Sequence, residues 1–226
     1  MRWLFAFVAF GCSPTSSWSE TRPRATLVEV APHQICPTHG QLARPDAIAV
    51  AVPTFRAVAL DTAGSAAELR FTYHGPASTT RELASGADRA QIGLKLRAQD
   101  SCNVIYVMWR DDKPTLDVSV KINRGMRNNA ECGTRGYEKV RTRDKRNVGA
   151  LVIGNQYVLR AELQGDELFA WINDRLVWRG TLPTSARVLV GPAGFRSDNV
   201  AYTATFFAAI SADGAAGSCR ARSSED

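Results

Sequence analysis

The chain has 226 residues, 45% of them apolar, 22% charged and 8% aromatic, and a formal net charge of +6. The apolar share is enough to bury a real core, and the length fits one β-sandwich domain with short additions. The positive balance points to acidic polymers, to anionic lipid headgroups or to no charged partner at all. No helical reader or aromatic RNA-binding motif accompanies it, so nucleic acid is not an expected partner.

At the N-terminus one Arg, the apolar run Leu4–Phe10 and the small Gly11 fit a short secretory signal over residues 1–11. Ala9-Phe10-Gly11-Cys12 is similar to a bacterial lipobox, with Phe10 bulky where a small residue is usual. The similarity implies lipidation of Cys12 and an exported protein, either a bacterial outer-membrane lipoprotein or a secreted one. The apolar run is too short to span a bilayer, so membrane contact is expected only through that lipid anchor. Residues 12–25, rich in Ser, Thr and Pro, read as a tether. Residues 26–219 are expected to form the single folded domain, and 220–226 a polar tail.

Export permits disulfides. With Cys12 set aside, Cys36, Cys102, Cys132 and Cys219 remain, and four cysteines allow three connectivities. A Cys102–Cys132 bond would close one local excursion. There is no C-x-x-C and the three His are scattered, so zinc is not expected.

Between residues 26 and 60 the runs Leu27–Val30, Ile48–Val52 and Phe55–Leu60 are β-prone but broken by Pro32, Pro37, Pro45 and Pro53, as edge strands and loops are. Glu68–Tyr73 alternates, and 81–88 reads as a loop. In Gln91–Ala98, Ile92, Leu94 and Leu96 point one way and Gln91, Lys95 and Arg97 the other. Asn103–Trp109 is apolar on both faces, which marks a central strand, and Leu116–Ile122 alternates again. Residues 124–146 are the most basic stretch, with Arg135, Lys139, Arg141, Arg143, Lys145 and Arg146; they read either as a loop that grips an acidic polymer or as a solvated excursion pinned by Cys132. No window offers a helix start, face and stop together.

The most informative stretch is Gln156–Asn199. Tyr157, Leu159, Ala161 and Leu163 share one face of a strand, Gln164-Gly165-Asp166 turns, Leu168–Ile172 returns, and Asn173-Asp174 turns again into Leu176–Arg179. A two-residue loop there sets Trp171 opposite Leu176 and Phe169 opposite Trp178. Phe169, Trp171, Leu176 and Trp178 then share a face, either as core or as a sugar-stacking platform.

The run LRAELQGDELFAWINDRLVWRG followed by GPAGFRSDN resembles the C-terminal half of a concanavalin A-like (laminin-G-like) jelly roll, and the resemblance covers about residues 67–210. Asn173-Asp174 stands where such domains usually have Asp-Gly. The resemblance implies an all-β, two-layer antiparallel β-sandwich, and the runs along the chain amount to about twelve strands. Such folds place their terminal strands side by side, which makes Cys36–Cys219 a natural second disulfide. They often hold a structural calcium, for which Asp198 and Asn199, with Asp100, are the candidates; the alternative is that 197–199 simply cap a turn. No other cofactor is expected.

Chemistry is harder to find. Retaining glycosidases need two carboxylates about 5–5.5 Å apart, and the Glu-x-Asp-x-x-Glu strand that supplies them on this fold is missing. Arg81-Glu82-Leu83 and Gln91-Ile92-Gly93 faintly resemble motifs of alginate lyases, but Gly93 stands where their His would be. No Gly-x-Ser-x-Gly occurs. The expected function is therefore a non-enzymatic exported binding module for a glycan or cell-envelope component. A lyase acting on a uronate polymer and a purely structural envelope lipoprotein are the alternatives. The candidate ligand-binding residues are Arg97, Tyr106, Arg135, Lys139, Arg141 and Arg143, and no catalytic residue is assigned.

Overall fold

The computed structural model describes residues 24–83, 85–211 and Cys219. The signal segment, Cys12, most of the tether and the 220–226 tail lie outside the described residues. Among the described residues no helix is long and apolar enough to cross a membrane.

The chain runs through β1 (Val28–Val30), β2 (Ile35–His39), β3 (Ile48–Val50), β4 (Thr54–Ala59), β5 (Thr62–Pro76), β6 (Gln91–Leu96), β7 (Val104–Arg110) and β8 (Thr115–Lys121). A one-turn helix α1 (Asn129–Cys132) follows, then β9 (Tyr137–Lys139), β10 (Thr142–Lys145), β11 (Gln156–Gln164), β12 (Glu167–Ile172), β13 (Arg175–Thr181), β14 (Gly194–Asp198) and β15 (Val200–Ile210). Two antiparallel sheets result. One has the order β1-β15-β5-β11-β12-β13-β10, with β3 also pairing β15; the other has the order β2-β4-β14-β6-β7-β8-β9. This is a two-layer antiparallel β-sandwich of jelly-roll form. β14 sits between β4 and β6, so the last quarter of the chain is woven into the middle of a sheet built mostly by the first half.

The alternating runs face inward as their period requires. Ile92, Leu94 and Leu96 are fully buried, as are Ile105, Val107 and Leu116, and they meet Leu159, Ala161 and Phe206 from the other layer in one core. The turn at Asn173-Asp174 has positive φ at both residues (47° and 62°), the backbone of a tight hairpin whose twist matches its strands. Asn173 can hold that geometry because its side-chain oxygen accepts from Val158 N at 2.8 Å.

Several expectations are corrected. Trp171 does oppose Leu176, but a bulge between Ala170 and Trp171 moves Phe169 opposite Arg179 and Ala170 opposite Trp178. The extra residue turns Trp178 into the core, while Phe169 and Trp171 stack at 5.9 Å on the outer face of the eight-stranded sheet. The four side chains therefore do not share a face. The basic stretch is not one loop either. It makes α1, whose Asn128 and Glu131 form a capping box, then β9 at the edge of one sheet and β10 at the edge of the other. Val140, buried among core residues, marks the crossing.

Both disulfides are present, Cys102–Cys132 and Cys36–Cys219.

Candidate functional site

The outer face of the seven-stranded sheet holds an open groove of ≈870 Å³. Its floor follows from strand parity: if Ile92, Phe195 and Val107 point inward, then Gln91, Arg196 and Tyr106 must point outward. Register sets them in rows. One row runs Arg56, Arg196, Gly93, Met108, Asp117 across β4, β14, β6, β7 and β8. The next runs Lys95, Tyr106, Ser119, Lys139. At Gly93 a Cβ would lie 2.1 Å from Val107 O and 2.7 Å from Met108 Sδ, so Met108 closes over the bare backbone.

Tyr106 is buried in the floor and stacks on Tyr137, centroids 6.1 Å apart, while Tyr137 stays 46% exposed. Burial, and after it Tyr137, push the Tyr106 hydroxyl up to about 12 against the opposing pull of Arg196 and Arg56. The guanidinium of Arg196 lies 5.3 Å over the Tyr106 ring. It is also paired with the fully buried Asp198, from Nε at 2.9 Å and Nη2 at 3.3 Å, and Gln91 Nε2 donates to the same carboxylate at 2.7 Å. Burial alone would lower the Arg196 pKa, but the Asp198 charge reverses this and holds it above its ordinary value.

The two rims are tied down. On one side Asn199, at φ 56°, accepts from Arg81 N at 2.8 Å and donates to Arg81 O at 2.9 Å and Arg89 O at 3.0 Å, which fixes the 81–89 rim. On the other side Cys132 anchors α1 to the start of β7, and the buried Lys121 donates to Ser101 O at 3.1 Å and Gly133 O at 2.8 Å. At the far end Asp117 faces three cations, Lys139 at 3.1 Å, Lys145 at 3.6 Å and Arg110 at 3.9 Å. The Lys139 contact is short but off the line of a hydrogen bond, since Asp117 Oδ1 has no hydrogen-bond partner, so it acts through charge.

Of the sequence candidates, Tyr106 and Lys139 line the groove. Arg97 sits at the end of β6 with φ 45° and donates to Ala186 O, away from it. Arg135 folds back on α1, donating to Cys132 O and Glu131 O. Arg141 is exposed between β9 and β10, and Arg143 pairs with Glu167 on the other sheet at 3.0 Å. Asp198 and Asn199 are spent on Arg196 and on the rim. Asp100 accepts from Cys102 N at 2.8 Å and Asn103 Nδ2 at 2.9 Å. Among the described residues no group of three or more His, Cys, Asp or Glu is placed to hold a metal ion. Sequence reasoning missed Arg56, Arg196 and Tyr137. Arg56 and Arg196 alternate with inward residues on their strands, while Tyr137 lies on a strand exposed throughout, and nothing local says that the three strands share a sheet.

No protein-family model and no curated protein matches the chain. Solved structures do. The carbohydrate-binding module CBM66 from Bacillus subtilis aligns over 78% of this chain and 93% of its own, at 12% identity and a TM-score of 0.49. The galectin LEC-6 of Caenorhabditis elegans aligns over 78% and 96%, at 8% identity and a TM-score of 0.41. A GH43 protein from Bacillus licheniformis aligns over 88% of this chain and 35% of its own, at 14% identity and a TM-score of 0.42. The likeness is one of fold. It says nothing about ligand or chemistry, which a fold does not carry.

Proposed function

We propose that the groove on the seven-stranded sheet binds a glycan and that the protein is an exported, non-enzymatic binding module. The observation that carries this reading is the open groove itself, with a stacked tyrosine pair on a floor braced from both rims. A ring such as Tyr137 offers an apolar face to a sugar ring, while fixed polar groups beside it orient hydroxyls. A purely structural role gives no reason to hold such a face open. A uronate lyase would need a group that accepts a proton. Tyr106, raised to about 12, stays protonated at neutral pH and is a hydrogen-bond donor to a ligand; His39, which also lines the groove, is the group such a lyase would have to use.

The two disulfides are in keeping with an oxidising compartment. Export with lipidation at Cys12 is part of the proposal, and a precursor that accumulates under globomycin is the expected sign.

The test is calorimetric titration of the protein with a panel of neutral and acidic oligosaccharides. At least one should bind, Tyr137→Ala should weaken it about tenfold or more, and ultraviolet absorbance from unsaturated products should stay flat. No binding by any member overturns the proposal, and rising absorbance transfers the groove to the lyase reading.

A further inference from the structure

We infer that Arg56 is the anchor of an oxyanion subsite in the groove, built for a carboxylate or sulfate group carried on a sugar chain; this rests on the groove being a glycan site. Six of the residues lining the groove are Arg or Lys and two are Asp or Glu; Arg196 and Arg110 are neutralised by Asp198 and Asp112 just outside the lining, and the remaining balance is still positive.

Within that field Arg56 stands apart. Its side chain is half-buried, its Nε is enclosed with no hydrogen-bond partner, and among the described residues it has no acidic partner. Arg56 and Arg196 face each other across β4 and β14. Like charges directly opposite on one sheet face repel. Asp198, the carboxylate beside the pair, takes three hydrogen bonds from Arg196 and Gln91 and makes no ion pair with Arg56. Two guanidiniums thus confront one carboxylate in a partly desolvated floor. A second oxyanion arriving at Arg56 from the groove relieves the repulsion and meets the planar fork that suits carboxylate and sulfate alike. Thr54 and Tyr106 line the groove with it and supply hydroxyl donors. The protonation of Tyr106 at neutral pH keeps a competing negative charge out of the subsite.

The experiment titrates the intact protein with five probes: a uronate oligosaccharide, the same oligosaccharide with its carboxylates reduced to alcohols, a sulfated one, a neutral one and inorganic sulfate alone. Arg56→Lys and Arg56→Gln are run beside the wild type, with unfolding midpoints to show that each is folded. We expect the uronate or the sulfated chain to bind roughly 10- to 100-fold more tightly than its uncharged counterpart, a gap that Arg56→Gln removes and Arg56→Lys partly keeps. Whether carboxylate or sulfate wins identifies the group. Equal binding of native and carboxyl-reduced chains, with no preference for the sulfated one, overturns the subsite while leaving a neutral-glycan groove standing. So does a folded Arg56→Gln that binds as the wild type does. Binding of inorganic sulfate alone, with no oligosaccharide bound, overturns it as well, and silence from every probe removes the groove reading and the subsite together.

Discussion

The outer faces of the two sheets are made from the same kinds of residue and arranged to opposite ends. On the eight-stranded sheet the arginines are matched: Arg160 to Glu162 at 3.3 Å and Glu68 at 3.6 Å, Arg179 to Glu167 at 2.9 Å, Arg70 to Glu68 at 2.7 Å. Its aromatics are capped by cations, Arg24 over Trp171 at 5.0 Å and Arg179 over Phe169 at 5.2 Å, and both rings are over 90% buried. Arg160 and Arg179 also carry an enclosed Nε without a partner, yet each guanidinium is neutralised through Nη. On the seven-stranded sheet Arg56 is not neutralised, and Tyr137, although Lys121 Nζ lies 5.2 Å from its ring centroid, stays 46% exposed. The inventory of side chains does not separate a closed polar face from an open one; the matching of charges does.

The largest expected effect tests the fully buried ion pair on the groove face. Asp198→Ala strands a buried guanidinium at Arg196, and removing one partner of a buried pair costs about 3–5 kcal/mol. Urea denaturation measures it; a loss below about 1 kcal/mol would mean that the floor is wet and that Asp198 does not hold Arg196. The next contrast sets one aromatic from each face side by side. Trp171→Ala removes a ring that is 8% exposed and should cost about 3 kcal/mol with glycan affinity unchanged. Tyr137→Ala removes one that is 46% exposed and should cost less than about 1 kcal/mol while affinity falls. If both substitutions move the same readout, the division of labour between the faces is wrong.

The layers were legible in the chain because period-two runs such as Leu116, Val118 and Val120 need no neighbour to declare their inward face. The disulfides were legible because few pairings were open and the fold brings the two ends together. The groove was not. Arg56, Tyr106, Tyr137 and Arg196 come from β4, β7, β9 and β14, and only the sheet order sets them side by side. Arg56 in particular lies in a run that reads as an apolar edge strand, and its isolation depends on Asp198 being spent elsewhere, a fact of hydrogen bonding that no spacing encodes. The bulge at Ala170 and Trp171 defeated the hairpin arithmetic in the same way: the turn was right, and one extra residue beyond it exchanged which aromatics face the core.

The smallest expected effect concerns Asp117, the acid that occupies the cations at the far end of the groove. Burial raises its pKa, but Lys139 first, then Lys145 and Arg110, outweigh burial and hold it below the usual carboxylate range. A depressed pKa means that the charged form stabilises the fold at pH values above the ordinary one, near 3.9, and that this contribution fades as pH falls through the lower folded value. Asp117→Asn should therefore be less stable than wild type at neutral pH, by under about 1 kcal/mol because the side chain is partly solvated, and the gap should close below about pH 4. A gap that widens on acidification would mean that burial wins. The same substitution frees Lys139 and Lys145 from an internal anion that competes with any acidic ligand, while Arg110 keeps its closer partner Asp112. If the groove takes oxyanions, affinity for the acidic probe should rise roughly two- to fivefold, so one residue change would lower stability and raise binding together, a combination that a purely structural charge cluster does not produce.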